Sequence, residues 1–232
     1  PCFEFSAGEK YYQEKGDGDP LILLHGNGED HEYFKNQIPF FAKKYRVIAI
    51  DTRGHGRSPR GNAPFRIRQF AEDLRAFMDE KKIEKANILG FSDGGNIALV
   101  FALRYPQRVN KLILNGANLY GSGVKDSIQI PIVIGYGVAS FLGKFSKKAK
   151  KNAHMLGLMV KDPALTPQEL RTLSVRTLVI AGTKDMIKEK HTKLIYENLP
   201  DASLVWIQGD HFIALKNPRA FNQAVKAFLE EK

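Results

Sequence analysis

Cysteine is nearly absent from this chain. Cys2 is the single one, so no internal disulfide can form, and a reducing, cytoplasmic setting is expected. Long apolar runs are missing too; none approaches the roughly 20 residues of a membrane-spanning helix. The opening Pro1-Cys2-Phe3-Glu4-Phe5 lacks a basic segment followed by an apolar stretch, so no signal peptide is expected. There is no internal repeat and no low-complexity segment. What is present excludes general disorder: 43% of the residues are apolar and 10% aromatic, and 232 residues suffice for one domain with a sizeable core. The formal net charge is +10. Its lysines and arginines are interleaved with acids along the chain, which reads as a solvated basic surface and not as a nucleic-acid interface.

Continuous apolar runs recur along the chain. Leu21-Ile22-Leu23-Leu24, Val47-Ile48-Ala49-Ile50, Leu112-Ile113-Leu114, Thr177-Leu178-Val179-Ile180 and Leu204-Val205-Trp206-Ile207 each read as a strand buried on both faces. A sixth run, Ile88-Leu89, leads into Gly90-Phe91-Ser92-Asp93-Gly94-Gly95. Helical periodicity lies between them: residues 67–82 with Phe70, Leu74 and Phe77 on one face, 189–198, and a last helix with Phe221, Val225, Phe228 and Leu229. A helix interrupted by Pro39 is expected over 33–44. Phe3-Glu4-Phe5 and Tyr11-Tyr12-Gln13 read as a short hairpin. Strands alternating with helices imply an α/β fold, a mostly parallel central sheet with helices on both faces.

Residues 119–166 break the alternation. They contain no clear buried strand and end in an amphipathic basic segment over 141–160. An insertion of this length between core strands reads as a short helical lid, with residues 1–118 and 167–232 forming the core. Lys144, Lys147, Lys148, Lys150 and Lys151 read as the solvent face of that lid. Attachment to an anionic membrane is the weaker reading, because nothing else in the sequence anchors the chain.

The chemistry gathers where strands end, since ligands of open parallel sheets bind beyond the carboxyl ends of the strands. Ser92 stands between two glycines at a strand-to-helix changeover. Small neighbours allow a sharp turn there, and the following helix N-terminus favours developing negative charge. A serine needs a base to take its proton and a group to orient that base. Asp185 follows a later strand and His211 follows the last. Asp210 is the rival acid, but adjacent side chains diverge, and it reads as a partner of its own loop. His25 and His55 each precede a glycine and read as loop supports. His31, His154 and His191 read as surface residues. The backbone N–H groups of Asn27 and Asp93 are the expected oxyanion donors, with Gly26 and Gly28 letting the first loop turn inward. Gly26-x-Gly28 also begins like a dinucleotide-binding loop. However, His31 stands where the third glycine is required, and no Walker A pattern exists.

His25-Gly26-Asn27-Gly28, Asp51-x-Arg53-Gly54-x-Gly56-x-Ser58, Gly90-x-Ser92-x-Gly94-Gly95, Gly182-x-x-Asp185 and Gly209-x-His211 together resemble the α/β-hydrolase superfamily, over nearly the whole chain except the lid. The resemblance implies the α/β-hydrolase fold, a nucleophile elbow at Ser92 and the chain order Ser92, Asp185, His211 for the triad. Serine at the elbow argues against haloalkane dehalogenases and epoxide hydrolases, which carry aspartate there. The run 89–95, with Asn115-Gly116-Ala117-Asn118 downstream, is similar to members of the valacyclovir hydrolase type. That likeness implies that Asp93 receives the ammonium group of an α-amino-acid ester; helix N-terminal stabilisation is the plainer role.

The expectation is a serine hydrolase of small carboxylic esters, needing no metal or cofactor. Its partner is a small-molecule ester, with no nucleic acid and no stable membrane association. A carbon–carbon bond hydrolase or lactonase on the same triad, and a non-catalytic ligand-binding protein of the same fold, stand as alternatives.

Overall fold

The computed structural model describes residues 10–231 and the backbone of residues 2–3. Its frame is one eight-stranded sheet of order β1-β2-β4-β3-β5-β6-β7-β8. The strands are β1 (Cys2–Phe3), β2 (Lys10–Lys15), β3 (Pro20–Leu24), β4 (Arg46–Ile50), β5 (Ala86–Phe91), β6 (Val109–Asn115), β7 (Thr177–Gly182) and β8 (Ala202–Ile207). β3 to β8 pair in parallel; β2 runs antiparallel to β1 and β4.

The unbroken apolar runs of β3 to β7 arise because each strand feeds two cores; β8, expected to be buried on both faces, is the edge strand and is half-buried up to Ile207. Ile22, Leu24, Ile48, Ile88 and Leu114 join one cluster, and their neighbours Leu21, Leu23, Val47, Leu89 and Ile113 join the other. The first is covered by α2 (Ile67–Glu80), α3 (Asp93–Arg104) and α7 (Glu189–Asn198), through Phe70, Phe77, Phe101 and Ile195. The second is covered by α1 (Ile38–Phe41), α8 (Ile213–Lys216) and α9 (Pro218–Glu230). Phe221, Val225 and Phe228 of α9 are buried at successive turns, worth about 1.5–3 kcal/mol each.

Two local expectations need amendment, and a third lies partly outside the described residues. The helix expected over 33–44 is a 3-10 turn, His31–Phe34, followed by the single turn α1. Pro39 sits in the first turn of α1, where its missing N–H has no helical acceptor to serve. Of the first hairpin, Cys2 and Phe3 pair with Tyr11 and Lys10, and residues 4–9 lie outside the described residues. Between β6 and β7 the chain forms an antiparallel helical pair, α4 (Asp126–Leu142) and α5 (Lys147–Lys161), and then α6 (Pro167–Leu170). α4 runs through Pro131, Gly135 and Gly137, residues that argue against a helix from sequence alone. The basic segment read over 141–160 is split by a turn, and Ser146 caps α5 by accepting a hydrogen bond from the Ala149 N–H.

Beneath the loop after β4 lies a buried ionic cluster. Asp73 of α2 accepts from Arg53 Nε (2.9 Å) and Nη2 (2.6 Å) and from Lys10 Nζ (2.8 Å), with all three side chains buried. Burial holds the Lys10 ammonium below its ordinary pKa, against the pull of Asp73. One carboxylate therefore serves two cations. Asp73→Asn should lower stability by about 3–5 kcal/mol, read in a thermal melt as a fall in Tm of about 10 °C or more.

Candidate active site

β5 carries its buried run directly into Ser92, whose backbone is left-handed (φ 52°, ψ −120°), and α3 begins at the next residue. A serine tolerates that strain only where its surroundings leave no alternative. The Ser92 N–H is tied to the Asn115 carbonyl of β6 at 2.8 Å. Glycine is needed at 90 and 94 for close approach: a Cβ at Gly90 would run into the backbone of Gly94 and Gly95, and one at Gly94 into the carbonyls of Leu24 and His25.

The loop after β8 brings His211 to this turn, and the loop after β7 brings Asp185. His211 Nδ1–H donates to Asp185 Oδ1 at 2.6 Å, which leaves Nε2 as an acceptor 3.0 Å from Ser92 Oγ. His211 and Asp185 are both buried. Asp185 is itself held, with Oδ1 accepting from the Ile187 N–H (3.0 Å) and Oδ2 from the Gly182 N–H (3.4 Å). Asp210 turns away: it accepts from the Phe212 N–H at 2.9 Å and pairs with Lys216, which holds its carboxyl low.

The backbone N–H groups of Asn27 and Asp93 donate to no acceptor among the described residues. They come from the loop after β3 and the first residue of α3, the two segments that flank Ser92. The Asn27 side chain donates to the Met155 carbonyl of α5 at 2.7 Å, so the loop after β3 is fastened to the helical pair. Below it, His25 Nδ1–H donates to the Gly26 carbonyl (2.7 Å) and Nε2 accepts from the Thr52 N–H (3.0 Å). His55 Nδ1–H donates to the Arg53 carbonyl at 3.0 Å. Burial lowers the pKa of both imidazoles, that of His55 to about 4, so they serve as neutral braces.

Two histidines lie elsewhere than the sequence suggests. His31 is buried and its Nδ1 meets Asp51 Oδ1 at 2.8 Å. His191 is buried too, with Nε2 accepting from the Leu119 N–H at 3.0 Å and burial pushing its pKa down to about 4. Both are expected at the surface, away from the strand ends, and both are buried. His154 is half-buried on α5, beside Phe65.

Asp93 is buried at the N-terminus of α3. Its Oδ1 accepts from Asn96 Nδ2 at 3.2 Å, while Oδ2 is buried with no partner. Burial pushes its carboxyl up to about 7, with the nearby Asp162 adding to the effect. Asn96 also binds Asn118 in both directions, 3.0 Å to its Oδ1 and 2.9 Å from its N–H, so the loop after β6 walls this polar recess.

Sequence reasoning passed over two further residues. Gly116 (φ 63°) follows β6, and a Cβ there would meet the His211 ring. Its position just after a strand is the signal that could have marked it. Glu29 accepts from the Gly26 N–H at 3.2 Å, and burial pushes its carboxyl up to about 7, with His211 pulling the other way. Nothing in a lone glutamate after a turn marks it beforehand.

Residues 19–158 match the family described as the alpha/beta hydrolase fold. The chain is 27% identical to 3-oxoadipate enol-lactonase 2 of Acinetobacter baylyi, over 93% of this chain and 90% of that protein. It is 28% identical to the human serine hydrolase BPHL, over 95% of this chain and 82% of that one. Among solved structures, the enol-lactonase of Burkholderia xenovorans superposes with a TM-score of 0.84 at 22% identity, covering all of both chains. By the family match, with the fold that carries it, the chain belongs to the α/β-hydrolase superfamily.

Proposed function

We propose that the chain is a serine hydrolase cleaving small carboxylic esters through an acyl-enzyme intermediate. The observation that carries this reading is the hydrogen-bonded series from Asp185 through His211 to Ser92, at the ends of three parallel strands. His211 Nε2 takes the Ser92 proton as Oγ attacks the ester carbonyl carbon. The oxygen becomes an oxyanion and is received by the free N–H groups of Asn27 and Asp93. Asp185 orients the imidazole and stabilises the imidazolium. Collapse of the intermediate breaks the bond to the alcohol, which leaves with the proton from His211. Water then gives a proton to His211 and attacks the acyl carbonyl, and the acid departs as Ser92 regains its hydrogen. The likeness to an enol-lactonase fits this reading, since a lactone is a cyclic ester opened by the same attack.

Residues 119–166 act as a lid in this scheme. Two ties to the core support that role: Asn27 to Met155, and Arg66 to the buried Asp162 at 2.7 and 2.9 Å.

A narrower substrate class is favoured by Asp93. A buried carboxyl with one unmet oxygen beside the oxyanion donors is destabilising until a cation reaches it. The ammonium group of an α-amino-acid ester is such a cation. It would convert the raised acid into one half of an ion pair.

Ser92→Ala should lower p-nitrophenyl butyrate turnover by about 10⁴-fold or more and abolish labelling by a fluorophosphonate probe, with circular dichroism unchanged. Retained turnover would overturn the mechanism. Asp93→Asn keeps the backbone donor and removes the charge. It should cut the preference for an aminoacyl ester over its des-amino analogue by about tenfold or more; an unchanged preference removes Asp93 from substrate recognition. The same variant tests the raised acid directly. Between the unfolded value and about 7 the folded state holds a proton that the unfolded state has lost, so wild-type stability drains away as pH rises through that window. The Tm of Asp93→Asn relative to wild type should therefore be higher at pH 8 than at pH 5.

A further inference from the structure

The α4–α5 pair carries an apolar surface that neither the fold nor the site uses. Ile130, Ile134, Val138, Phe141 and Phe145 are each more than half exposed, with Ile134 at 62% and Phe145 at 81%. Their spacing of four, four, three and four residues sets them in one stripe along α4 and over its final turn. α4 has a single charged residue, Asp126, at its first position. No helix among the described residues is long and apolar enough to cross a membrane, so this stripe could only lie against one.

The charge beside the stripe is of one sign. No acidic residue occurs between Asp126 and Asp162. Lys144, Lys147, Lys148, Lys150 and Lys151 follow the stripe at the tip of the pair, and none forms an ion pair among the described residues. Lys144 Nζ stands 5.9 Å from the Phe141 ring, and the rings of Phe141 and Phe145 are 6.1 Å apart. Ammonium groups and large apolar side chains thus share one end of the hairpin.

We propose that this tip docks on an anionic phospholipid surface, α4 lying in the plane of the interface with its stripe among the acyl chains and the lysines at the headgroup phosphates. Read from sequence, the lysines lack an anchor; the exposed stripe of α4 supplies it. A second copy of the chain is the poorer occupant, because it would cover the stripe and bring no negative charge to the five lysines, whereas an anionic surface meets both. The inference stands on the hairpin alone and is independent of the reaction at Ser92.

Vesicle flotation of the full chain tests it, comparing phosphatidylcholine vesicles with phosphatidylcholine–phosphatidylserine vesicles at low and high salt. Binding to the mixed vesicles is expected, weaker by about tenfold or more on phosphatidylcholine alone and reduced by salt. Replacing Lys147, Lys148, Lys150 and Lys151 together by glutamine should weaken it by about 10²–10³-fold, at roughly fivefold per lysine. Phe141→Ser with Phe145→Ser should weaken it on mixed vesicles too, while leaving the Tm within a few degrees, since both rings are exposed. Absence of binding to either vesicle overturns the proposal. So does binding that both sets of substitutions leave unchanged. A dimer in sedimentation velocity that the two serine substitutions dissociate, without vesicle binding, assigns the stripe to a second copy instead.

Discussion

The structure turns on one unfavourable residue. Ser92 holds a backbone conformation that costs on the order of 1–3 kcal/mol, and everything around it serves to leave no cheaper arrangement. β5 is buried along its whole length and cannot shift. α3 starts at once and is buried over nearly all its residues. Gly90 and Gly94 let the two segments close to a separation that any side chain would forbid. The serine hydroxyl therefore stands clear of the sheet at the mouth of a helix, and β7 and β8, beyond β6, end at the level where their loops can reach it.

The loops at this end of the sheet are held by buried polar contacts rather than by apolar packing. His25, His55 and the His31–Asp51 pair tie the loops after β3 and β4 to one another. The lowered pKa of His25 and His55 suits this task, because these two imidazoles accept and donate without bringing charge into the interior. Asp93 and Glu29 do the reverse. Both are carboxyls raised to about 7 by burial, Glu29 on the Gly26 N–H next to Asn27 and Asp93 on the residue that carries the second candidate donor. Fully ionised carboxylates there would repel a developing oxyanion, and burial reduces that charge near neutral pH.

The α/β fold and its mostly parallel sheet were legible because parallel strands buried on both faces write themselves as unbroken apolar runs. The residues just past each run then named Ser92, Asp185 and His211, and the structure brings these three within hydrogen-bond reach. What was not legible has physical causes. α4 hides because proline and glycines lower its helix propensity while packing against α5 carries it. His31 and His191 are not legible as buried because their partners, Asp51 and the Leu119 N–H, lie far away in sequence. Gly116 stands in the run 115–118 with nothing in the sequence to show that its missing side chain makes room for the imidazole.

The Asn27 side chain joins the loop after β3 to Met155 of α5 by a single bond. That loop also presents one of the two free backbone donors beside Ser92. A rigid tie between two surfaces makes their occupancies exchange free energy in both directions. A ligand that favours one tilt of the helical pair would favour one aim of the Asn27 N–H, and a ligand seated on that N–H would bias the tilt by an equal amount. The asparagine amide is thus the point at which the helical pair meets the loop after β3.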